Sequence, residues 1–413
     1  MSDRQLCWWR LVTILVYAGL HSQMASGGEL PGLASLARSI FGAGQGVYVE
    51  AADGSVLLAQ AADKPVHPAS VSKVPTTLAL LRKLGPEYRF VTTFAATGPV
   101  RDGTIEGDLL VDGGGDPYFV EENALLVALR LNEFGVRRVA GILRPRGALL
   151  FDWQSDGAAA QLQQALSGGA PTEAWAAVQS LAPALQSPPA LLFDGSSFGR
   201  TVEAAEPDAV QPLLVHRSQP LLSLVKSLND YSNNVFKPLA DAAGGAAAVE
   251  NLARSIVPAS MRSEITLGDG AGTDARNRLS PRAAVKLLRA LELELASGGH
   301  ALVDALPVAG IDAGTLHDRL NGPKETGRVV GKTGTFGDYG ASALIGAIPT
   351  SDQGTVYFAI LNHNVPVSEA RARQDRFLRV LLERLHSLPW SYQLDTRPAV
   401  ARAQVLMAGT AAH

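Results

Sequence analysis

Residues 68–84 read Pro68-Ala69-Ser70-Val71-Ser72-Lys73-Val74-Pro75-Thr76-Thr77-Leu78-Ala79-Leu80-Leu81-Arg82-Lys83-Leu84, and Gly85-Pro86 closes the run. Val71, Val74, Leu78, Leu81 and Leu84 recur at steps of three and four, which predicts a helix with one apolar face ended by the Gly-Pro pair. Pro75 has no backbone donor, so either the helix bends there or it starts later than Ser70. Ser70 and Lys73 are one helical turn apart and share a face. A serine hydroxyl needs a base to become a nucleophile, and a lysine serves if burial or a neighbouring cation lowers its pKa from ~10.4. Taken alone, the pair describes equally well a capping serine beside a solvated lysine.

Outward from this helix the chain alternates strand and helix patterns without internal repeats. Upstream, Gly46–Glu50 (GVYVE) and Ser55–Gln60 (SVLLAQ) flank Asp53-Gly54 and predict a hairpin. Downstream, residues 92 to about 155 are rich in strands and turns, punctuated by Asp102-Gly103, Glu106-Gly107 and the stretch from Asp112 to Pro117, in which Asp112 and Asp116 are read as turn residues. Ala124–Phe134 predicts a short amphipathic helix, and Gly157–Pro189 reads as helical with loose connections. Helical periodicity runs again from Leu214 through Ala240. Arg328–Gly331, Ala341–Ile348 and Thr355–Asn362 read as three strands, followed by a helix over Ser368–Leu385. Strands near both ends with helices between them predict an α+β fold, in which the two ends of the chain jointly complete an antiparallel sheet.

Two further patterns carry chemistry. Ser232-Asn233-Asn234, after Tyr231, places a hydroxyl and a carboxamide two residues apart, able to relay a proton and hold a substrate amide. Lys332-Thr333-Gly334-Thr335 follows a β-type run, so Lys332 and Gly334 face one side and Thr333 and Thr335 the other. Gly334 lets a ligand or another backbone come close. A phosphate loop is excluded, because Thr326 stands where its first glycine belongs and strand follows where a helix should begin.

Ser-X-X-Lys, Ser-X-Asn and Lys-Thr-Gly in this order form the signature of the serine penicillin-recognising enzymes. The surroundings add Leu84-Gly85-Pro86-Glu87-Tyr88-Arg89-Phe90, Gly107-Asp108-Leu109-Leu110, Gly114-Gly115-Asp116-Pro117, His216-Arg217-Ser218, Asp269-Gly270-Ala271-Gly272 and Asn277-Arg278-Leu279-Ser280-Pro281-Arg282. With these, nearly the whole chain after its first residues resembles the class C low-molecular-mass penicillin-binding proteins, the D-alanyl-D-alanine carboxypeptidase/endopeptidases. The resemblance implies a transpeptidase/β-lactamase-like fold, an antiparallel sheet flanked by helices with an inserted accessory domain. It also implies Ser70 as nucleophile, Lys73 as base and Ser232 as proton relay. Asn234, Lys332, Thr333, Gly334 and Thr335 would bind substrate, with no cofactor and no metal. Peptidoglycan stem peptides would be the substrates and β-lactams the inhibitors. A weakly active wall-binding scaffold and a β-lactamase or D-amino-acid esterase are the alternatives on the same scaffold.

Spacing favours this family over the class A β-lactamases. Ser70 and Ser232 lie 162 positions apart, more than one compact domain needs, which predicts an accessory domain over 92–212 inserted into a peptidase domain of 28–91 plus 213–413. The insertion is short for the family, so one accessory domain would be reduced or missing. Three departures stand out: Asn233 replaces the usual aspartate, Ala271 the usual serine, and the linker Phe336–Ala341 is about two residues long beyond the common pattern.

Composition sets the bounds. The 413 residues carry 36 Lys+Arg against 39 Asp+Glu, a net charge of -3, with no excess pointing to nucleic acid or an anionic membrane surface. The one cysteine, Cys7, excludes an internal disulfide and a paired-thiolate zinc site. Residues 1–27 read as a secretory signal, with Arg4 and Arg10 before the apolar run Leu11–Leu20 and a small-residue site at Ala25-Ser26-Gly27. An uncleaved anchor using Trp8, Trp9 and Tyr17 is the alternative. The expected location is periplasmic, with no stable membrane span after cleavage. The eight histidines show no metal-binding spacing, and Asp269–Asp274 lacks the closing glutamate of a calcium loop.

Overall fold

The computed structural model describes residues 30, 32–197, 210–230, 236–338 and 340–408. The signal-like segment 1–27, Ser232 and Asn234 lie outside the described residues.

A five-stranded antiparallel sheet runs in the order Val330–Phe336, Ala341–Pro349, Thr355–His363, Gly46–Glu50, Val56–Gln60. The two ends of the chain therefore build it together, with Val49 opposite Phe358. The Asp53 carboxylate shapes the hairpin turn by accepting from the Ser55 amide at 2.8 Å. Alternation sorts the side chains into two cores. Tyr48, Ala343, Ile345, Tyr357 and Leu361 face the helices Lys73–Leu84 and Pro281–Ser297. Val47, Val49, Leu344, Phe358 and Ile360 face Leu33–Phe41 and Val367–Arg384. Because both faces are covered, these strands read as continuous apolar runs.

Register extends the sorting to the edge strand. Lys332 stands opposite Ile345 and Gly334 opposite Ala343, on the side of helix Lys73–Leu84. Thr333 stands opposite Leu344 and Thr335 opposite Ser342, on the side of helix Val367–Arg384.

A second sheet follows the order Gln404–Met407, Gln211–Arg217, Val91–Ala96, Leu109–Gly114, Leu143–Ala148, with a parallel last pair. Phe94, Val111, Phe119, Leu131, Phe151, Leu162 and Leu214 fill its own apolar cluster. A smaller four-stranded sheet lies in the same stretch of chain.

Several local expectations change. Helix Lys73–Leu84 is preceded by a 3-10 turn, Ala69–Ser72, so Pro75 falls in the first α-helical turn, where the missing donor costs no internal bond. Leu214 is not helical: Gln211–Arg217 is a strand held between Val91–Ala96 and Gln404–Met407, and the helix begins at Leu221. Partner strands decided this, since the local pattern of Leu213, Leu214 and Val215 suits either period. Asp112 is no turn residue either, lying in strand Leu109–Gly114 and paired with Arg146 at 2.8 Å. Asp116 does shape a turn, accepting from the Tyr118 amide at 2.9 Å.

Candidate active site

Ser70 sits in the 3-10 turn before helix Lys73–Leu84, 7 % exposed, and Lys73 opens the helix fully buried. Three contacts fix the turn. Ala69 adopts φ +48°, a left-handed conformation that costs a non-glycine residue energy unless its surroundings hold it. His67 supplies part of that hold: its Nδ1 accepts from the Ala69 amide at 3.1 Å, leaving Nε2 to donate to the Asp274 carbonyl at 3.0 Å. Its ring stacks on Phe336, centroids 4.0 Å apart, at the end of the edge strand.

Backbone walls close in from two sides. A Cβ on Gly334 would stand 2.5 Å from the Pro68 carbonyl oxygen and 3.1 Å from the Ser70 nitrogen. The edge strand thus lies directly against the serine, the close approach its glycine predicts. From behind, a Cβ on Gly272 would meet the Ala69 oxygen at 1.9 Å. The loop carrying Gly272 is shaped by the Asp269 carboxylate, which accepts from the amides of Gly272 at 2.8 Å, Thr273 at 2.8 Å and Asp274 at 3.0 Å, and from Asn277 Nδ2 at 2.9 Å. Burial works against the Asp269 charge, but these donors outweigh it and hold the carboxyl below its ordinary pKa. Ala271 is buried in the apolar core, so the loop stands on Asp269 without a serine hydroxyl.

Two lysines meet at this turn. Lys73 Nζ lies 4.7 Å from the centroid of the Phe236 ring. Burial, then repulsion from Lys332, bring its pKa down to about 6, against the pull of Asp269. Lys332 is also fully buried, donating from Nζ to the Thr333 carbonyl at 3.1 Å; burial lowers it to about 8 against the Asp230 carboxylate. Near neutral pH the first is predominantly neutral and the second predominantly cationic.

The edge strand also presents donors. Gly331 donates outward to the Pro307 carbonyl at 3.0 Å. Amides of an antiparallel strand point to the same side at every second residue, so those of Thr333 and Thr335 face the same outer edge. Thr333 Oγ1 is 2.6 Å from Thr315 Oγ1, and the Thr315 amide donates to the Asp230 carbonyl at 3.1 Å.

A serine under a strained turn, a neutral buried lysine beside it and a strand edge of outward amides make a site suited to acyl transfer. A family model described as D-Ala-D-Ala carboxypeptidase 3 (S13) matches residues 34–152 and 165–384, most of the chain. The chain belongs to this S13 family. Solved structures agree at the level of fold. The penicillin G acylated Bd3459 predatory endopeptidase of Bdellovibrio bacteriovorus is 22% identical with a TM-score of 0.74, covering 88% of this chain and 99% of its own. The Bd0816 predatory endopeptidase of the same organism reaches 24% and 0.71, covering 84% and 95%. Penicillin binding protein 4 (dacB) of Haemophilus influenzae reaches 18% and 0.58, covering 86% and 99%. The S13 chain described here thus has the α+β penicillin-recognising fold.

Six of the eight residues singled out from the S13-type motifs, Ser70, Lys73, Lys332, Thr333, Gly334 and Thr335, come together in one place. Of the other two, Ser232 and Asn234, nothing is described, although Asp230 and Phe236 on either side act on Lys332 and Lys73 respectively. His67, Phe236, Thr315 and Arg371, whose Nη2 donates to Thr335 Oγ1 at 3.0 Å, were not singled out from the sequence. His67, three residues before Ser70, and Phe236, two after Asn234, lay where the motifs themselves could have pointed to them. Among the described residues no His, Cys, Asp and Glu cluster could hold a metal ion, and no helix is long and apolar enough to cross a membrane.

Proposed function

We propose that this S13 protein is a serine-type D-Ala-D-Ala peptidase acting on peptidoglycan stem peptides, as carboxypeptidase, endopeptidase or both, and that it is acylated by β-lactams at Ser70. The observation that carries the assignment of roles is Lys73: fully buried, one helical turn from Ser70, and lowered to about 6 beside a second buried lysine.

Lys73 takes the proton from the Ser70 hydroxyl, and Oγ attacks the carbonyl carbon of the penultimate D-Ala. The amides of Ser70 and Thr335 receive the oxyanion, a contribution of ~2.7–4 kcal/mol per donor in serine hydrolases. Ser232 passes the proton to the leaving nitrogen, and the C–N bond breaks to leave a Ser70 ester. Asn234 holds the substrate backbone and orients Lys73. Lys332, Thr333 and Thr335 take the carboxylate beyond the scissile bond, and Gly334 lets the strand that carries them lie against the Ser70 turn. Water then cleaves the ester and restores the hydroxyl. The sequence needs no cofactor. Residues 92–212 serve as an accessory domain whose sheet also takes the rest of strand Gln211–Arg217 and strand Gln404–Met407 from the peptidase stretch, and the N-terminal pattern and the substrate both put the work in the periplasm. The penicillin G acylated Bd3459 protein, alike in fold, supports acylation chemistry on this scaffold.

The test is intact mass and peptide mapping of the mature protein after incubation with benzylpenicillin, beside Ser70→Ala. A lasting adduct on Ser70, absent from the variant, is expected. Rapid drug hydrolysis would favour a β-lactamase, and neither adduct nor hydrolysis would favour a scaffold.

A further inference from the structure

Helix Val367–Arg384 lies across the first sheet from helix Lys73–Leu84 and sends one cation to the edge strand. Arg371 Nη2 donates to Thr335 Oγ1 at 3.0 Å. The carboxylates nearest along the helix are already engaged. Asp375 is gripped by Arg319, with Nε at 3.0 Å and Nη2 at 2.6 Å, and Glu369 pairs with Arg373. Among the described residues no carboxylate forms an ion pair with Arg371. It is half-buried, and Thr335, which it touches, is exposed. A guanidinium is always charged and carries five donors in a planar fork, more than one hydroxyl can use. A half-buried cation bonded to a neutral oxygen is complementary to an anion from outside.

The Thr335 hydroxyl has a single proton. With Arg371 donating into its oxygen, that proton turns away from the guanidinium and is available to an incoming acceptor, and the bond it gives is strengthened by the one it receives. The strand edge where the outward amides would hold the oxyanion is the same edge at which this hydroxyl stands.

We propose that Arg371 is a specificity-determining residue that recognises the carboxylate next to the scissile amide, through the Thr335 hydroxyl and by its own charge. The proposal rests on the D-Ala-D-Ala peptidase reading. It adds a cation from helix Val367–Arg384, on the side of the strand opposite Lys332, so that the anion is held from both faces. In a D-Ala-D-Ala terminus and in a D-amino-acid cross-link alike, the residue after the cleaved bond carries a carboxylate at that position. Arg371 therefore distinguishes acid from amide or ester and leaves exo- and endopeptidase action open.

The experiment compares N-acyl-Lys-D-Ala-D-Ala with its C-terminal amide on the full mature protein, in the wild type, Arg371→Ala, Arg371→Met and Arg371→Lys. The acid-to-amide ratio of kcat/KM is the readout, because any loss of folded protein cancels within each variant. Wild type is expected to prefer the acid. Arg371→Ala and Arg371→Met should each lower the ratio about tenfold, as expected for losing a hydrogen bond to a charged group, mostly through KM of the acid, with kcat within about twofold. Arg371→Lys should restore part of the ratio. An unchanged ratio in both neutral variants would overturn the proposal while the peptidase reading stands. A wild type that shows no acid preference and forms no Ser70 adduct with benzylpenicillin would overturn both.

Discussion

Two groups of buried charge sit on the same sheet and are built in opposite ways. At the hairpin end, Glu50 is fully buried and surrounded by opposite charge and donors: Lys286 Nζ at 2.7 Å, Arg289, and the Tyr48 hydroxyl at 2.7 Å. Burial, then the bond to Glu50, push the Tyr48 hydroxyl above its ordinary pKa, so it stays a donor. At the far edge, Lys73 and Lys332 are buried within reach of each other's field, one against an aromatic ring and the other on a backbone carbonyl. The first group ties helix Pro281–Ser297 to strand Gly46–Glu50. The second lowers the pKa of an amine one turn from Ser70, where the proposed mechanism moves a proton. Opposite charges in contact tie the fold in one place, and two like charges buried near each other lower an amine's pKa in the other.

Exchanging the logic at each site should produce opposite losses. Lys73→Ala removes the base and should slow acylation by benzylpenicillin by about 10³-fold, within the range for a positioned general base. Because it also removes an amine whose charged form is disfavoured by burial, its melting temperature should be equal to or above that of the wild type. A large drop in stability would mean that Lys73 is mainly a structural partner. Glu50→Ala should do the reverse. Leaving Lys286 and Arg289 side by side without their carboxylate should cost about 3 kcal/mol in urea denaturation, the low end for breaking a buried pair because both cations are partly exposed. Acylation at temperatures where this variant is folded should stay within a few-fold of wild type.

The pH profile gives the finest comparison. The base must lose its proton, so kcat/KM should rise with pH through about 6, and the cation must keep its own, so it should fall through about 8. Lys332→Met removes the repelling neighbour, so the acid limb should move to higher pH, away from the depressed value of Lys73. An acid limb that does not move would put the whole depression down to burial.

The sequence made the geometry of the candidate site legible where its residues sit close along the chain. Ser70 and Lys73 fall one turn apart, Gly334 marks a close approach, and the apolar runs on both sides of Asp53-Gly54 mark strands. It was silent where residues meet across the chain. Nothing in the run from Val367 to Arg384 sets Arg371 apart from Arg373 or Arg376, because only the packing of that helix against the strand Ala341–Pro349 brings one of them to Thr335. Strand Gln211–Arg217 departs from the helical expectation for a related reason: Leu and Val suit helix and strand alike, and its partners lie more than a hundred residues away on each side. Asp112 looked like a turn residue beside a run of glycines, yet Arg146 on the neighbouring strand gives it a place in the sheet.

The sheet that joins the two ends of the chain also sets the order in which the molecule can be made. Strand Gly46–Glu50 has to wait for Thr355–His363, which emerges last among its partners, and loop closure over such a separation is slow. Ser70 is synthesised early, but Gly334, which walls it in, and Lys332, whose charge adds to burial in lowering the Lys73 pKa, arrive only with the last fifth of the chain. A half-made chain therefore carries the Ser70 hydroxyl and the Lys73 amine without the full burial and the neighbouring charge that lower that amine's pKa. On the proposed mechanism, acylation waits for the two parts of the sheet to meet, and a chain cut before Gly334 has no activated serine.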